Sequence, residues 1–141
     1  MHLNCNLLES CGRGSGENVC LCIGASPLPH DFISQYPEVP ELRIYKFWEE
    51  PIGPHPIAMF EVNLFTPAQF GAFIPWLVIN RGPLSALVHP NCVDPVTGNH
   101  EEEYRDHTQR ATWLGREIPL DLSLFHLMAE RKRKAAEAEG A

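Results

Sequence analysis

Proline sets the first limit on this fold. Thirteen prolines and ten glycines among 141 residues interrupt helices too often for a bundle and lack the strict period of collagen. Glu49–Pro56 alone holds three prolines and Gly53, so that stretch is a loop. On one side of it, Leu42-Arg43-Ile44-Tyr45-Lys46-Phe47-Trp48 is β-branched and aromatic enough to read as a strand. On the other, Ile57 to Phe65 alternates, with Met59, Glu61 and Asn63 on one face and Phe60, Val62 and Leu64 on the opposite one. That pattern suits a half-buried antiparallel strand, and the two strands are expected to form a hairpin.

Thr66-Pro67 then offers an N-cap followed by proline at the first helical position. Phe70, Phe73, Ile74, Leu77 and Val78 form a helical stripe to lay on a sheet, with Pro75 expected to kink it and Gly82 to stop it. Leu84 to His89 reads as a further strand, and Asp106-His107-Thr108-Gln109 as a capping box that opens a short helix closed by Gly115. Hairpin, helix, strand, preceded by one more strand and helix, is the β-α-β-β-α-β ferredoxin-like unit, an α+β sheet with its helices on one face. Residues 1–30 are rich in Cys, Gly, Ser and Asn and read as an irregular segment. Residues 31–126 carry the domain, and residues 127–141 form a charged, helical tail.

Charge narrows the partners. The total is −7, but Arg131, Lys132, Arg133 and Lys134 sit together near the C-terminus, so the body is more acidic still. Nucleic acid and anionic membranes are poor partners for such a body, and the basic run reads as a solvated helix face. Phe70 to Ile79, the longest apolar stretch, is too short to span a bilayer. Five cysteines, four of them within the first 22 residues, make no disulfide framework and point to a reducing cytosol.

Three of the seven histidines stand beside prolines or in turns: His55 in Gly53-Pro54-His55-Pro56, His89 in Val88-His89-Pro90, and His107 in Asp106-His107-Thr108. Taken singly, each is more plainly a hydrogen-bonded turn residue. Taken together they suggest more, because neutral imidazole is the commonest metal ligand. If the two central strands run parallel, with the last strand antiparallel beside the first, the start of the third strand and the end of the fourth share an edge. His55 and His89 would then meet there, with His107 returning from the next loop. Glu61 is expected to be a poor carboxylate partner, six residues along an extended strand from His55, roughly 20 Å at ~3.3 Å per residue. Asp94 and Asp106 are nearer in sequence, although a helix cap would account for Asp106. His2, His30, His100 and His126 read as surface residues.

Other chemistries are weaker. Cys20-x-Cys22 has neither redox nor zinc-finger spacing. Ser85 lacks a nucleophile-elbow turn, and Gly12-x-Gly14-x-Gly16 precedes a strand where a dinucleotide loop would follow one. Trp48, Trp76 and Trp113 read as core, with Trp113 also able to wall a pocket for an aromatic ligand.

Gly53-Pro54-His55-Pro56 leading into Ala58-Met59-Phe60-Glu61-Val62, then Asn80-Arg81-Gly82-Pro83-Leu84-Ser85-Ala86-Leu87-Val88-His89-Pro90-Asn91, then Asp106-His107-Thr108, Trp113-Leu114-Gly115 and Pro119-Leu120-Asp121-Leu122 closely resemble the DOPA 4,5-dioxygenase family, fungal members above all. The match covers about residues 41 to 126. The resemblance implies a ferredoxin-like fold, often dimeric, and extradiol opening of a catechol such as DOPA with non-haem Fe(II) and O₂. Its partners would be a small aromatic substrate and O₂, and a homodimer is allowed. His55, His89 and His107 would be metal ligands or lie against the substrate, with His55 and His107 also the catalytic candidates. His107 would be a third ligand or an acid/base.

The family pattern also begins with a strand carrying His-x-His and a full helix. Both read here as absent or degenerate, and Val19 to Ile23, with Cys20-x-Cys22 where the histidines belong, is the segment able to fill the slot. The competing expectation is a non-catalytic ferredoxin-like module that binds a small aromatic ligand or itself.

Overall fold

The computed structural model describes residues 17–22, 28–39, 42–92 and 101–139. Strand β1 (Glu17–Cys22) and helix α1 (Leu28–Gln35) lead into β2 (Arg43–Ile44), β3 (Met59–Leu64), α2 (Pro67–Asn80), β4 (Ser85–Pro90), α3 (Glu101–His107), β5 (Thr112–Leu114) and α4 (Ser123–Glu139). The strands form one sheet in the order β2-β3-β1-β4-β5, the ferredoxin-like order with one strand added at the β4 edge.

The first strand and helix, expected to be absent or degenerate, are therefore present. β1 lies centrally, pairing Cys20 with Glu61 on one side and with Leu87 on the other. Without it β3 and β4 would leave rows of unpaired backbone groups, so any extended, β-prone segment of the right length is drawn into the slot. Residues 17–22 and 28–30 are thus regular, whereas residues 1–16 lie outside the described residues.

Strand direction differs from the expectation too. β1 runs antiparallel to both β3 and β4, so the central pair is antiparallel. The hairpin turns β3 against β2, while a helical crossover returns the chain to β2 in the direction of β1; the strand between them opposes both. The start of β3 is then level with the start of β4, since Met59 and Ser85 both pair with Cys22. The shared edge that was to unite His55 and His89 does not exist.

One face of the sheet packs on α1 and α2. Phe60, Val62, Leu64 and Ala86 meet Phe32, Phe73, Trp76 and Leu77 there. Phe32 stands edge-on to Phe73 at 5.0 Å and to Trp76 at 5.4 Å, and Trp76 Nε1 donates to Gln35 Oε1 at 3.1 Å. The expected cap of α2 is realised, with Thr66 and Gln69 closing a capping box and Pro67 at the first turn. Its buried stripe is Phe73, Trp76 and Leu77, rotated from the expected one so that Val78 is half exposed. The helix runs unbroken through Pro75.

The hairpin is shorter than its sequence. After Ile44↔Val62 and the Tyr45 N–H to Glu61 bond, Lys46 and Phe47 oppose Phe60 alone before Trp48 bridges Met59, a bulge that ends the ladder.

The segment expected to be a helix opened by Asp106 is instead the end of α3 followed by β5. Glu101, Glu102 and Glu103 favour the N-terminus of a helix, Thr112-Trp113-Leu114 is β-prone, and the Asp106 carboxylate is occupied elsewhere. At the close of this stretch Gly115 has φ +90°, and a Cβ there would stand 2.6 Å from Arg81 Nη1 and 3.2 Å from the Leu84 carbonyl. Gly115→Ala is expected to cost about 1–3 kcal/mol, read as a lowered urea midpoint.

The tail behaves as a solvated helix. In α4 only Phe125 is buried, and Arg133–Glu137 and Lys134–Glu130 are exposed pairs of small energetic weight. No helix among the described residues is long and apolar enough to cross a membrane. Cys92 is disulfide-bonded, whereas the spacing of the cysteines reads as no disulfide framework.

Candidate active site

The sheet face turned away from α1 and α2 carries the candidate site. Met59 and Leu87 pack there against Ile118, and beside them a cavity of about 360 Å³ is lined by His55, Glu61, His89, Asp106 and His107. Each residue arrives by a different route.

His55 lies on residues 49–58, which fold back over the sheet face rather than running on past the strand end. Gly53, at φ +56°, makes the two-residue turn with Pro54 that lets Ile52 and His55 exchange both backbone bonds, at 3.0 and 3.1 Å. Asp121 N–H donates to the Pro54 carbonyl at 2.8 Å and ties this flap to the chain beyond β5. His89 is the fifth residue of β4, on the same face as Leu87 by strand alternation. His107 ends α3, and Phe125 of α4 packs on its ring at 5.2 Å.

The three rings gather. His89 and His107 have centroids 4.2 Å apart, and His55 and His107 5.9 Å. The expected meeting of His55, His89 and His107 thus occurs, through a folded-back flap instead of a common strand edge. Two of the rings have their tautomer set by the backbone. Nδ1 of His89 contacts the Pro90 carbonyl and Nδ1 of His107 the Glu103 carbonyl, each at 2.8 Å. A carbonyl can only accept, so Nδ1–H donates in both rings, the contact that orients metal-binding imidazoles.

Glu61 is the residue sequence reasoning missed. The 20 Å separation assumed an extended chain from His55, but the flap reverses, and Glu61 lines the same cavity. Its membership of the Met59/Glu61/Asn63 face was the available signal, because a charged side chain on a strand covered on both faces needs a purpose or a partner. Asp106 was misjudged as well. Its side chain is almost fully buried and accepts from Cys92 N–H at 2.7 Å and from Arg110 at 2.8 Å, clamping α3 to the chain after β4. Asp94, His2 and His100 lie outside the described residues, and so does the side chain of His30. His126 is exposed, as expected.

Burial governs the protonation states. Loss of solvent, with His107 adding repulsion, lowers His55 to about 4 and His89 to about 3 from an ordinary 6.5. Burial raises Glu61, against the Asn63 bond and His107, and it raises Asp106 against the bonds from Arg110 and Cys92.

Stability should follow. Above pH 6.5 both histidines are neutral in folded and unfolded chains alike. Below it the unfolded chain binds protons that the folded chain refuses, so stability falls as pH drops from 6.5 toward 4 and 3. The loss is about 1.4 kcal/mol for each unit of depression realised. Glu61 and Asp106, shifted the other way, offset part of it at the acid end. Denaturant midpoints falling steadily from pH 7 to pH 5 are the expected result, and a flat profile would contradict it.

The Dopa 4,5-dioxygenase family pattern matches residues 23–124. An uncharacterised 21.2 kDa protein of Botryotinia fuckeliana is 74% identical over 95 residues, covering 67% of this chain and 51% of that protein. A DOPA 4,5-dioxygenase of Amanita muscaria is 39% identical over 75 residues, 52% of this chain and 28% of that one. The chain thus spans about half the length of the first relative and less of the second. A crystal structure from Nostoc punctiforme, provisionally described as a dioxygenase, superposes with a TM-score of 0.60 at 29% identity, covering 81% of this chain and 93% of that one. With the family pattern over most of its length and its motif histidines on one cavity, the chain belongs to the Dopa 4,5-dioxygenase family.

Proposed function

We propose that this protein opens the ring of a catechol such as DOPA by extradiol cleavage, using non-haem Fe(II) and O₂. The observation that carries the reading is the gathering of His55, His89 and His107 around one cavity beside Glu61, with ring centroids 4.2 and 5.9 Å apart.

His89 and His107 suit the metal. Both are hydrogen-bonded at Nδ1 to a carbonyl, the contact that orients metal-binding imidazoles, and His89 is held neutral by burial. Among the described residues no three His, Cys, Asp or Glu side chains close on one point tightly enough to hold an ion, so the fit on these residues extends to two imidazoles, with Glu61 the carboxylate of the same cavity. Bound iron would supply Lewis acidity and electron transfer between catecholate and O₂.

The remaining work falls to the chain. His55, buried and neutral, accepts a catechol hydroxyl proton at a ring nitrogen and can return it to the product. Met59 and Trp48 wall the cavity and give the aromatic ring an apolar seat. Anaerobic reconstitution with Fe(II), followed by catechol and O₂, tests the reading. About one iron per chain, oxygen uptake and a yellow ring-opened product are expected; no uptake and no retained iron would overturn it.

A further inference from the structure

The cavity has two ends. His89 and His107 stand together at one, and Trp48 walls the other. Trp48 bridges Met59 of β3, and β3, β1 and β4 are successive neighbours in the sheet. Its backbone is therefore three strand spacings from β4, roughly 14 Å at ~4.8 Å each. The bulge in the hairpin decides what stands beside it. Phe47 takes the helix face opposite Phe60, with ring centroids 6.4 Å apart, which leaves Lys46 as the extra residue. Its side chain lies against Trp48, which packs with Met59 and Leu87 on the site face, and Nζ stands 3.7 Å from the centroid of the indole. Bulges at a sheet edge re-aim side chains in this way.

Charge gives the placement its meaning. Glu61, Glu103 and Asp106 line the cavity, and among the described residues no lysine or arginine does. Arg110 is committed to Asp106 and Glu102, Arg105 to Glu102, and Arg81 to the carbonyls of Gly82 and Leu84. Lys46 is exposed and rests on the indole, with no carboxylate paired to it among the described residues. An aromatic face attracts the ammonium without accepting all three of its N–H donors.

We propose that Lys46 determines specificity by receiving a carboxylate on the substrate's side chain at the Trp48 end of the cavity. The inference rests on the ring-opening reading and adds the residue that favours acidic catechols. A ring whose hydroxyls face His89 and His107 directs its substituent toward the opposite end, past Trp48. A carboxylate carried there leaves the acidic lining behind and meets the ammonium in a charge-assisted hydrogen bond. A substituent that ends in an amine meets a like charge instead.

L-DOPA and dopamine differ only in that carboxylate, and 4-methylcatechol carries neither charge. Each is titrated without oxygen into the full chain at low salt and followed by calorimetry. L-DOPA is expected to bind about fivefold more tightly than dopamine, as an exposed ion pair allows, and added salt should shrink the preference. In Lys46→Met the two affinities should come within about twofold of each other, Lys46→Glu should reverse them, and Lys46→Arg should keep the native order. The affinity for 4-methylcatechol should be the same in all four chains. Lys46 lies outside the core, so these variants fold. With the iron-loaded chain, Lys46→Met should raise KM for L-DOPA about fivefold and leave kcat in place. Equal affinities for L-DOPA and dopamine in the native chain, or a preference kept by Lys46→Met, overturn the proposal. Ring opening with a KM for L-DOPA that Lys46→Met does not move would sink the role of Lys46 and leave the dioxygenase reading standing; the expected ranking without ring opening would do the reverse.

Discussion

His89→Ala is expected to leave a folded chain that retains no iron and opens catechol rings at least about a thousandfold more slowly, some 4 kcal/mol of lost transition-state stabilisation. The imidazole is buried at 3% exposure, its tautomer is fixed by the Pro90 carbonyl, and its ring faces His107 at 4.2 Å. No neighbour on β4 can replace it, because Val88 and Pro90 point to the other face of the strand. Metal analysis after reconstitution and the rate of oxygen uptake are the measurements. His126→Ala, at an exposed ring outside the cavity, is the matched control and should keep both values. Unchanged iron content in His89→Ala would show that this imidazole is packing and nothing more.

Asp106→Ala should damage the fold and the site together. The carboxylate is 1% exposed and joins two segments, taking Cys92 N–H from the chain after β4 and the Arg110 guanidinium beyond α3. Its removal leaves a buried N–H without an acceptor and a guanidinium holding only Glu102. The expected cost is about 3 kcal/mol, toward the lower end for a broken buried pair because Arg110 is one-third exposed. His107 is the next residue on α3, so loosening this clamp also moves its ring relative to His89. Asp106→Asn retains an acceptor for Cys92 N–H and weakens only the pairing with Arg110. It should recover most of the stability, and it should bind iron where Asp106→Ala does not. Denaturant midpoints together with iron stoichiometry separate these effects; equal iron binding by both variants would show that Asp106 supports the fold without placing His107.

The local elements were legible wherever a short window contained its own explanation. Thr66-Pro67 with Gln69 announced a capped helix start and formed one. The alternation from Met59 to Leu64 announced a half-buried strand; the strand forms, but both of its faces are covered, one by the helices and one by the site. The motif histidines could be picked out by their proline neighbours, since rigid turns hold side chains where chemistry can use them. Windows failed where two local readings competed. Asp106 looked like a cap because capping needs only the next three residues, whereas its true partner, Cys92, is fourteen residues earlier. Glu61 looked remote because distance along a strand is easy to compute and the return of a loop is not.

From its sequence alone this chain was bound to form a hairpin, a capped helix and a strand, and to carry three imidazoles beside prolines, because each of these rests on contacts among near neighbours. The sequence also offered Val19 to Ile23 for the central slot and expected the three imidazoles to meet; only the tertiary structure decided that residues 17–22 fill that slot, that residues 49–58 fold back over the sheet, and that Glu61 joins His55, His89 and His107 on one cavity. Those outcomes depend on closing long loops and on satisfying backbone groups far apart in the chain, and no local pattern records which distant segment will do so.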